Sequence, residues 1–230
     1  MSIMHFGRAL CAAASLLALA TPAGAVTFVE GAFLNGTATG YTGFENIGPH
    51  GAGFPVFFGP YVENGVRVEH IGTGGVVTLY QSIGNYGWYA GAEFPGYTSI
   101  RLQSGAMMSG VQFAATTEML TDIIDWPFHY QLLRHGDVIA TGTVGALCTA
   151  YVECFRTYGF TGTWFDEVRL QASILIDGFD PQGFGTDVMA LDDIYVQAVP
   201  EPASWAMMIG GLALAGAALR RRAVRVAFAG

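Results

Sequence analysis

The chain reads as all-β, an antiparallel β-sandwich or a barrel, and three observations predict it. Short alternating or β-branched runs recur along the sequence, glycines and prolines separate them at short intervals, and one stretch alone in the central region has helical spacing. Glycine supplies 26 of the 174 residues at 26–199 with no collagen-like period or glycine-serine tract, so it punctuates strands rather than building a fibre or a linker.

The elements follow in order. Val66-Arg67-Val68-Glu69-His70-Ile71, Val76-Val77-Thr78-Leu79-Tyr80 and Ser99-Ile100-Arg101-Leu102-Gln103 are strand-like. Asn64-Gly65 and Gly72-Thr73-Gly74-Gly75 read as turns. The helical spacing falls at 116–125, where Met119, Leu120, Ile123 and Ile124 follow a Thr cap; a loop with one helical turn is the alternative. Residues 128–133 and 138–144 form the clearest hairpin, joined by Arg134-His135-Gly136-Asp137, where Gly136 can take a positive φ. Trp126 and Trp164 are assigned to the core. The last strands are 165–172 and 190–197; Phe165-Asp166-Glu167-Val168-Arg169-Leu170 and Leu191-Asp192-Asp193-Ile194-Tyr195-Val196 are similar to closing strands of galactose- or carbohydrate-binding jelly-roll modules. Fold alone assigns no function to them.

Both ends read as addresses. Residues 1–8 carry one firm positive charge, 9–20 are apolar, and Ala23-Gly24-Ala25 has the small-x-small pattern of signal-peptide cleavage, which leaves Val26 first and makes 1–25 a signal peptide. Cys11 follows Arg8-Ala9-Leu10, which is no lipobox. At the other end, 203–219 hold no charge for seventeen residues, about 25 Å of helix, enough for a thin bilayer. Arg220, Arg221 and Arg222 then stop it, and the positive-inside rule keeps them cytoplasmic. Pro200-Glu201-Pro202 cannot continue a helix and sets an extended joint before the span.

This order of Pro-Glu-Pro, short apolar helix and Arg cluster over 199–222 resembles the PEP-CTERM sorting signal of exported bacterial proteins, and Ala203-Ser204-Trp205-Ala206-Met207-Met208-Ile209 looks like its sphingomonad-type variety. The resemblance implies an exosortase and the secretion machinery as partners and an inner-membrane-anchored precursor. It further implies a product at the cell surface or outside a Gram-negative cell, in the setting of exopolysaccharide and biofilm. By it, Pro200, Glu201 and Pro202 are the recognition and processing site, the helix holds the substrate, and Arg220 to Arg222 orient it. Residues 223–230 form a short cytoplasmic extension beyond the usual end of such signals.

Between the addresses, 26–198 make one domain with length enough for a substantial core. Residues 26–199 hold 17 Asp and Glu against 5 Arg and no lysine, a formal charge of −12, which excludes nucleic acid as a partner and opposes simple attraction to acidic lipid or polysaccharide. Cys148 and Cys154 remain after signal removal, and in an exported protein the pair reads as one disulfide worth about 2 kcal/mol.

Signatures of catalysis are few. The sequence holds no Gly-x-Ser-x-Gly elbow, His-Glu-x-x-His or P-loop, and His50, His70, His129 and His135 form no recognised ligand pair. Asp166-Glu167 and Asp192-Asp193 could flank a sugar bond, bind Ca²⁺ or serve as surface acids. Asp177, Asp180 and Asp187 share a loop that fails the EF-hand spacing, so a structural Ca²⁺ is the one cofactor candidate. Tyr86, Trp88, Tyr89, Phe94 and Tyr97 lie in a glycine-rich frame with Asn85 and Glu93, and their rings could stack on pyranose faces or simply fill the core. The reading is a non-enzymatic, exported surface or matrix protein. A carbohydrate-binding module using Tyr86, Trp88, Tyr89 and Tyr97 is the alternative, and a secreted glycan hydrolase the second.

Overall fold

A computed structural model describes residues 24–46, 56–72, 76–82, 85–90, 96–116, 127–145, 155–172, 179, 189–200 and 202–220. Among them the strands form two antiparallel sheets. The first runs β1 (Thr27–Glu30), β12 (Arg156–Phe165), β9 (Met108–Thr116), β14 (Ala190–Ala198), β7 (Asn85–Ala90), β6 (Val76–Ser82) and β3 (Val56–Phe58), with β2 (Gly40–Thr42) also on β14. The second runs β11 (Asp137–Val144), β10 (Phe128–Arg134), β13 (Glu167–Ala172), β8 (Gly96–Leu102), β5 (Val66–Gly72) and β4 (Tyr61–Glu63). One helix, α1 (Pro202–Arg220), follows.

Alternation decides what each strand buries. In β5, Val66, Val68 and His70 are buried while Arg67 and Glu69 are half-exposed. Val66, Val68, Ile100, Leu102, Val168 and Leu170 from the second sheet meet Trp88, Val111, Phe113, Phe160, Leu191 and Val196 from the first in one core. Trp88, Phe44, Phe113, Phe128, Phe160 and Phe165 are fully buried, and truncating a buried Phe or Trp to Ala typically costs about 3–5 kcal/mol.

Both local hairpins fold as the sequence predicts. Asn64 and Gly65 join β4 to β5 with φ of 44° and 81°, and His135 and Gly136 join β10 to β11 with φ of 53° and 88°. Positive φ at both central residues makes each turn twist with its strands. The 73–75 segment lies outside the described residues; β5 and β6, on either side of it in sequence, belong to different sheets. Of the 116–125 helix candidate, Thr116 is instead the last residue of β9 and the rest lies outside the described residues. Cys148, Cys154, Trp126, Asp177, Asp180 and Asp187 also lie outside them.

Two register shifts move side chains between faces. In β12, Tyr158 and Phe160 face the core, but the pairing with β9 shifts between Thr161 and Phe165, and Gly162 sits at φ 93°. Beyond the shift Thr163 and Phe165 are buried and Trp164 is 36% exposed, which corrects its assignment to the core. In β14, Leu191 faces inward, the register with β9 shifts between Asp192 and Tyr195, and Ile194 and Val196 take over the core face. Asp193 carries the positive φ of this bulge, 47°.

A loop is strapped over the first sheet's outer surface. The Gln112 side-chain oxygen accepts hydrogen bonds from the Phe33 and Leu34 amides at 2.6 and 2.9 Å, and its amide donates to Asn35 Oδ1 at 3.1 Å. Leu34 lies over Gly110 and Phe33 over Gly159; a methyl group on Gly159 would strike the Phe33 ring and the Val111 carbonyl.

Candidate functional site

The sorting joint leaves the sandwich from an interior strand. β14 pairs with β9 on one side and with β2 and β7 on the other. At its end the Ala198 amide donates to Thr39 Oγ1 at 2.7 Å, and the Val199 amide donates to the Met107 carbonyl at 2.8 Å. Thr39 is itself anchored, its amide donating to the Val196 carbonyl at 2.8 Å. The next residue, Pro200, is exposed and has no amide proton, so the ladder cannot extend through it. Pro202 is the first residue of α1, where a missing amide proton costs nothing and fixed φ favours the helix start. Pro200 therefore ends the ladder and Pro202 opens the helix. Two residues lie between Val199 and Pro202, and the three steps that join them reach at most about 10 Å when extended.

Beyond the joint, α1 has nineteen residues, about 28 Å. Its described side chains, 205–216, are all exposed, with Met207, Leu212 and Leu214 at 76%, 68% and 74%. Such a continuous exposed apolar surface marks a site of association. Among the described residues no helix is long and apolar enough to cross a membrane, the side chains of 202–204 and 217–220 standing outside that description. Arg220 closes α1, whereas Glu201, Arg221 and Arg222 lie outside the described residues.

Residues 198–222 match the family model of the PEP-CTERM protein-sorting motif. The chain carries a PEP-CTERM sorting motif. The match begins at the last residue of β14, so the PEP-CTERM signal and the sandwich share a boundary with no linker between them. This motif implies an exported, membrane-anchored precursor that an exosortase processes and that is sorted to the cell surface. A comparison with curated proteins finds no match for the chain. Sequence alone located the PEP-CTERM residues but gave no signal for Thr39 and Met107, because a threonine and a methionine remote in sequence carry no sorting pattern.

At the other end, Ala25 is exposed and Val26 packs partly on the core just ahead of β1, while Ala23 lies outside the described residues. Of the aromatic set, Trp88 is fully buried, with its indole nitrogen donating to Thr98 Oγ1 at 3.2 Å, and Tyr97 is 7% exposed. Of the two roles open to these rings, stacking on a pyranose face or filling the interior, their burial matches the second. The side chains of Tyr86 and Tyr89 lie outside the described part. Phe179 packs on Tyr97 at 5.4 Å between ring centroids, and burial pushes the Tyr97 hydroxyl's pKa up despite the guanidinium of Arg169 near its ring.

The paired acids occupy structural positions on different sheets. Asp166 accepts the turn amide of His135 at 2.6 Å. Glu167 is 6% exposed and accepts from Ser99 Oγ at 2.8 Å and Arg169 Nε at 2.9 Å, with Arg101 at 3.2 Å. Asp192 Oδ1 accepts the Asp193 amide at 2.7 Å, and Asp193 accepts the Tyr41 hydroxyl at 2.7 Å. Among the described residues no cluster of three or more His, Cys, Asp or Glu side chains could hold a metal ion.

Proposed function

We propose that this is a non-catalytic surface or matrix protein whose sandwich is delivered by its PEP-CTERM signal and cut at Pro200-Glu201-Pro202. One observation carries the reading: a pinned strand end, a proline-flanked joint and an exposed apolar helix follow one another within a few residues. A processing enzyme needs backbone that is free of both ladder and helix, and the prolines favour it here, Pro200 barring the ladder and Pro202 opening the helix. In this reading 1–25 are removed on export, α1 sits in the inner membrane as a short span with Arg220, Arg221 and Arg222 on the cytoplasmic side, and Cys148–Cys154 is oxidised. The structural engagement of Asp166, Glu167, Asp192 and Asp193 favours it over a hydrolase. Burial of Trp88 and Tyr97 weighs against a glycan platform built on 86–97.

The test is Glu201→Gln in an exosortase-bearing host, followed by fractionation and intact-mass measurement. The variant should stay cell-associated at precursor mass while the parent is released. Release of the variant at the parent's rate and mass would refute the assignment.

A further inference from the structure

The second sheet turns a cationic strip outward from an otherwise acidic domain. Arg67 and Arg101 are directly opposite one another on β5 and β8, and Arg169, one strand further, is opposite Ser99. Residues 26–199 contain five arginines, and three of them share this face. Like charges directly opposed across strands destabilise a sheet unless a counter-charge intervenes. Among the described residues the counter-charges are two, Glu69 and Glu167, for three guanidinium groups. Arg67 donates through Nε and Nη2 to Glu69 at 3.2 and 2.8 Å. Arg101 donates through Nε to Ser99 at 3.0 Å and lies 3.2 Å from Glu167 through Nη2. These bonds fix one edge of each guanidinium and leave Nη1 of each without an acceptor among the described residues. The side chains of Arg67 and Arg101 keep 33% and 41% of their surface open to solvent.

We propose that this strip binds an acidic glycan, its carboxylates bridging Arg67 and Arg101. Charge complementarity selects an anion, and at physiological salt the distant acids of the domain are screened over about 8 Å while the strip acts at contact. The neighbours select a hydroxyl-rich anion over a protein. Gln131 is opposite both Arg169 and Thr141, adding amide and hydroxyl groups, and among the described residues the exposed large apolar side chains near the strip stand at its two edges, Val62 opposite Arg67 and Ile139 on β11. A protein interface would instead present a buried apolar centre. The spread of arginines over β5, β8 and β13, about 10 Å at 4.8 Å per strand, suits a polymer more than a lone ion. The assignment deepens the matrix reading and rests on it only for the biological setting, since its test uses purified protein and no exosortase.

The experiment is affinity electrophoresis of the full chain in a polyoxyethylene detergent, through native gels holding polygalacturonate, dextran or polyglutamate. Polygalacturonate should retard the protein, and dextran and polyglutamate should not. Arg67→Gln and Arg101→Gln should each weaken retardation about five- to tenfold, whereas Arg156→Gln, on the other sheet, leaves it unchanged. Among the described residues Arg67 pairs with half-exposed Glu69 alone, so its variant keeps the fold even if loss of Arg101 disturbs Glu167. Absence of retardation, equal retardation by dextran or polyglutamate, or retention of binding in Arg67→Gln would each overturn the proposal. So would full competition by free galacturonate at equal carboxylate concentration, which would make the strip a site for a single anion.

Discussion

The Tyr41 hydroxyl donates to Asp193 Oδ1 at 2.7 Å, tying the short strand β2 to the bulge of β14. Burial first, then the hydrogen bond and the negative charge of Asp193, raise the Tyr41 pKa above its ordinary 10.0. Tyr61, Tyr97, Tyr158 and Tyr195 shift upward too, each chiefly through burial. Neutral phenols are thus favoured in the fold, and their contribution is complete below the unfolded value. It is lost as pH rises from 10 toward the folded values, because the unfolded chain ionises first. Circular-dichroism melts should show a melting temperature that falls steeply above pH 10, with a shallower fall in Tyr41→Phe. Identical alkaline slopes for the two proteins would refute the coupling.

Glu167 is the only buried carboxylate with three side-chain partners among the described bonds. Glu167→Gln leaves Arg169 and Arg101 without their counter-charge. Breaking a buried pair costs about 3–5 kcal/mol, reduced here to about 2 because Arg101 is 41% exposed and water screens it. Urea titration should show a lower midpoint with an unchanged slope. A midpoint equal to the parent's would mean that solvent replaces the carboxylate in full.

The strapped loop should fail from either side. Gly159→Ala places a methyl group against Phe33 and the Val111 carbonyl, an overpacking of about 1–3 kcal/mol. Gln112→Ala removes the acceptor shared by the Phe33 and Leu34 amides and costs about 1–3 kcal/mol. Both variants should expose the Phe33 and Leu34 peptide bonds to chymotrypsin, followed by mass spectrometry. Protection equal to the parent's in both would show that the strap holds by other contacts.

Pro202 is predicted to act by conformation. Pro202→Ala lets α1 propagate backward into the joint and should slow processing several-fold without moving the melting temperature. Pro202→Gly resists that propagation and should recover part of the rate. Equal failure of both variants would assign Pro202 to direct recognition of its ring.

Legibility in the sequence followed the range of the interactions. The hairpins at Asn64-Gly65 and His135-Gly136 were readable because the φ requirement lies within two adjacent residues. The sorting motif was readable for the same reason, being contiguous. Trp164 was misplaced because unbroken alternation from Tyr158 and Phe160 puts it in the core, and the register shift near Gly162 depends on how β12 pairs with β9. The meaning of Asp192-Asp193 was hidden likewise: two adjacent acids look like a site until the pairing reveals a bulge. The opposed Arg67 and Arg101, thirty-four positions apart, become neighbours only through the register of β5 and β8.

The attachment of α1 to an interior strand also has a mechanical meaning. Antiparallel ladder bonds run perpendicular to the strands, so tension applied along β14 from its Val199 end loads the bonds to β9 and β2 together in shear. A helix hung from an edge strand would transmit the same tension as a peel, breaking bonds one at a time. While the precursor is held at the membrane, drag on the exported domain is borne by its strongest direction, and the stretch falls on the short proline-flanked joint.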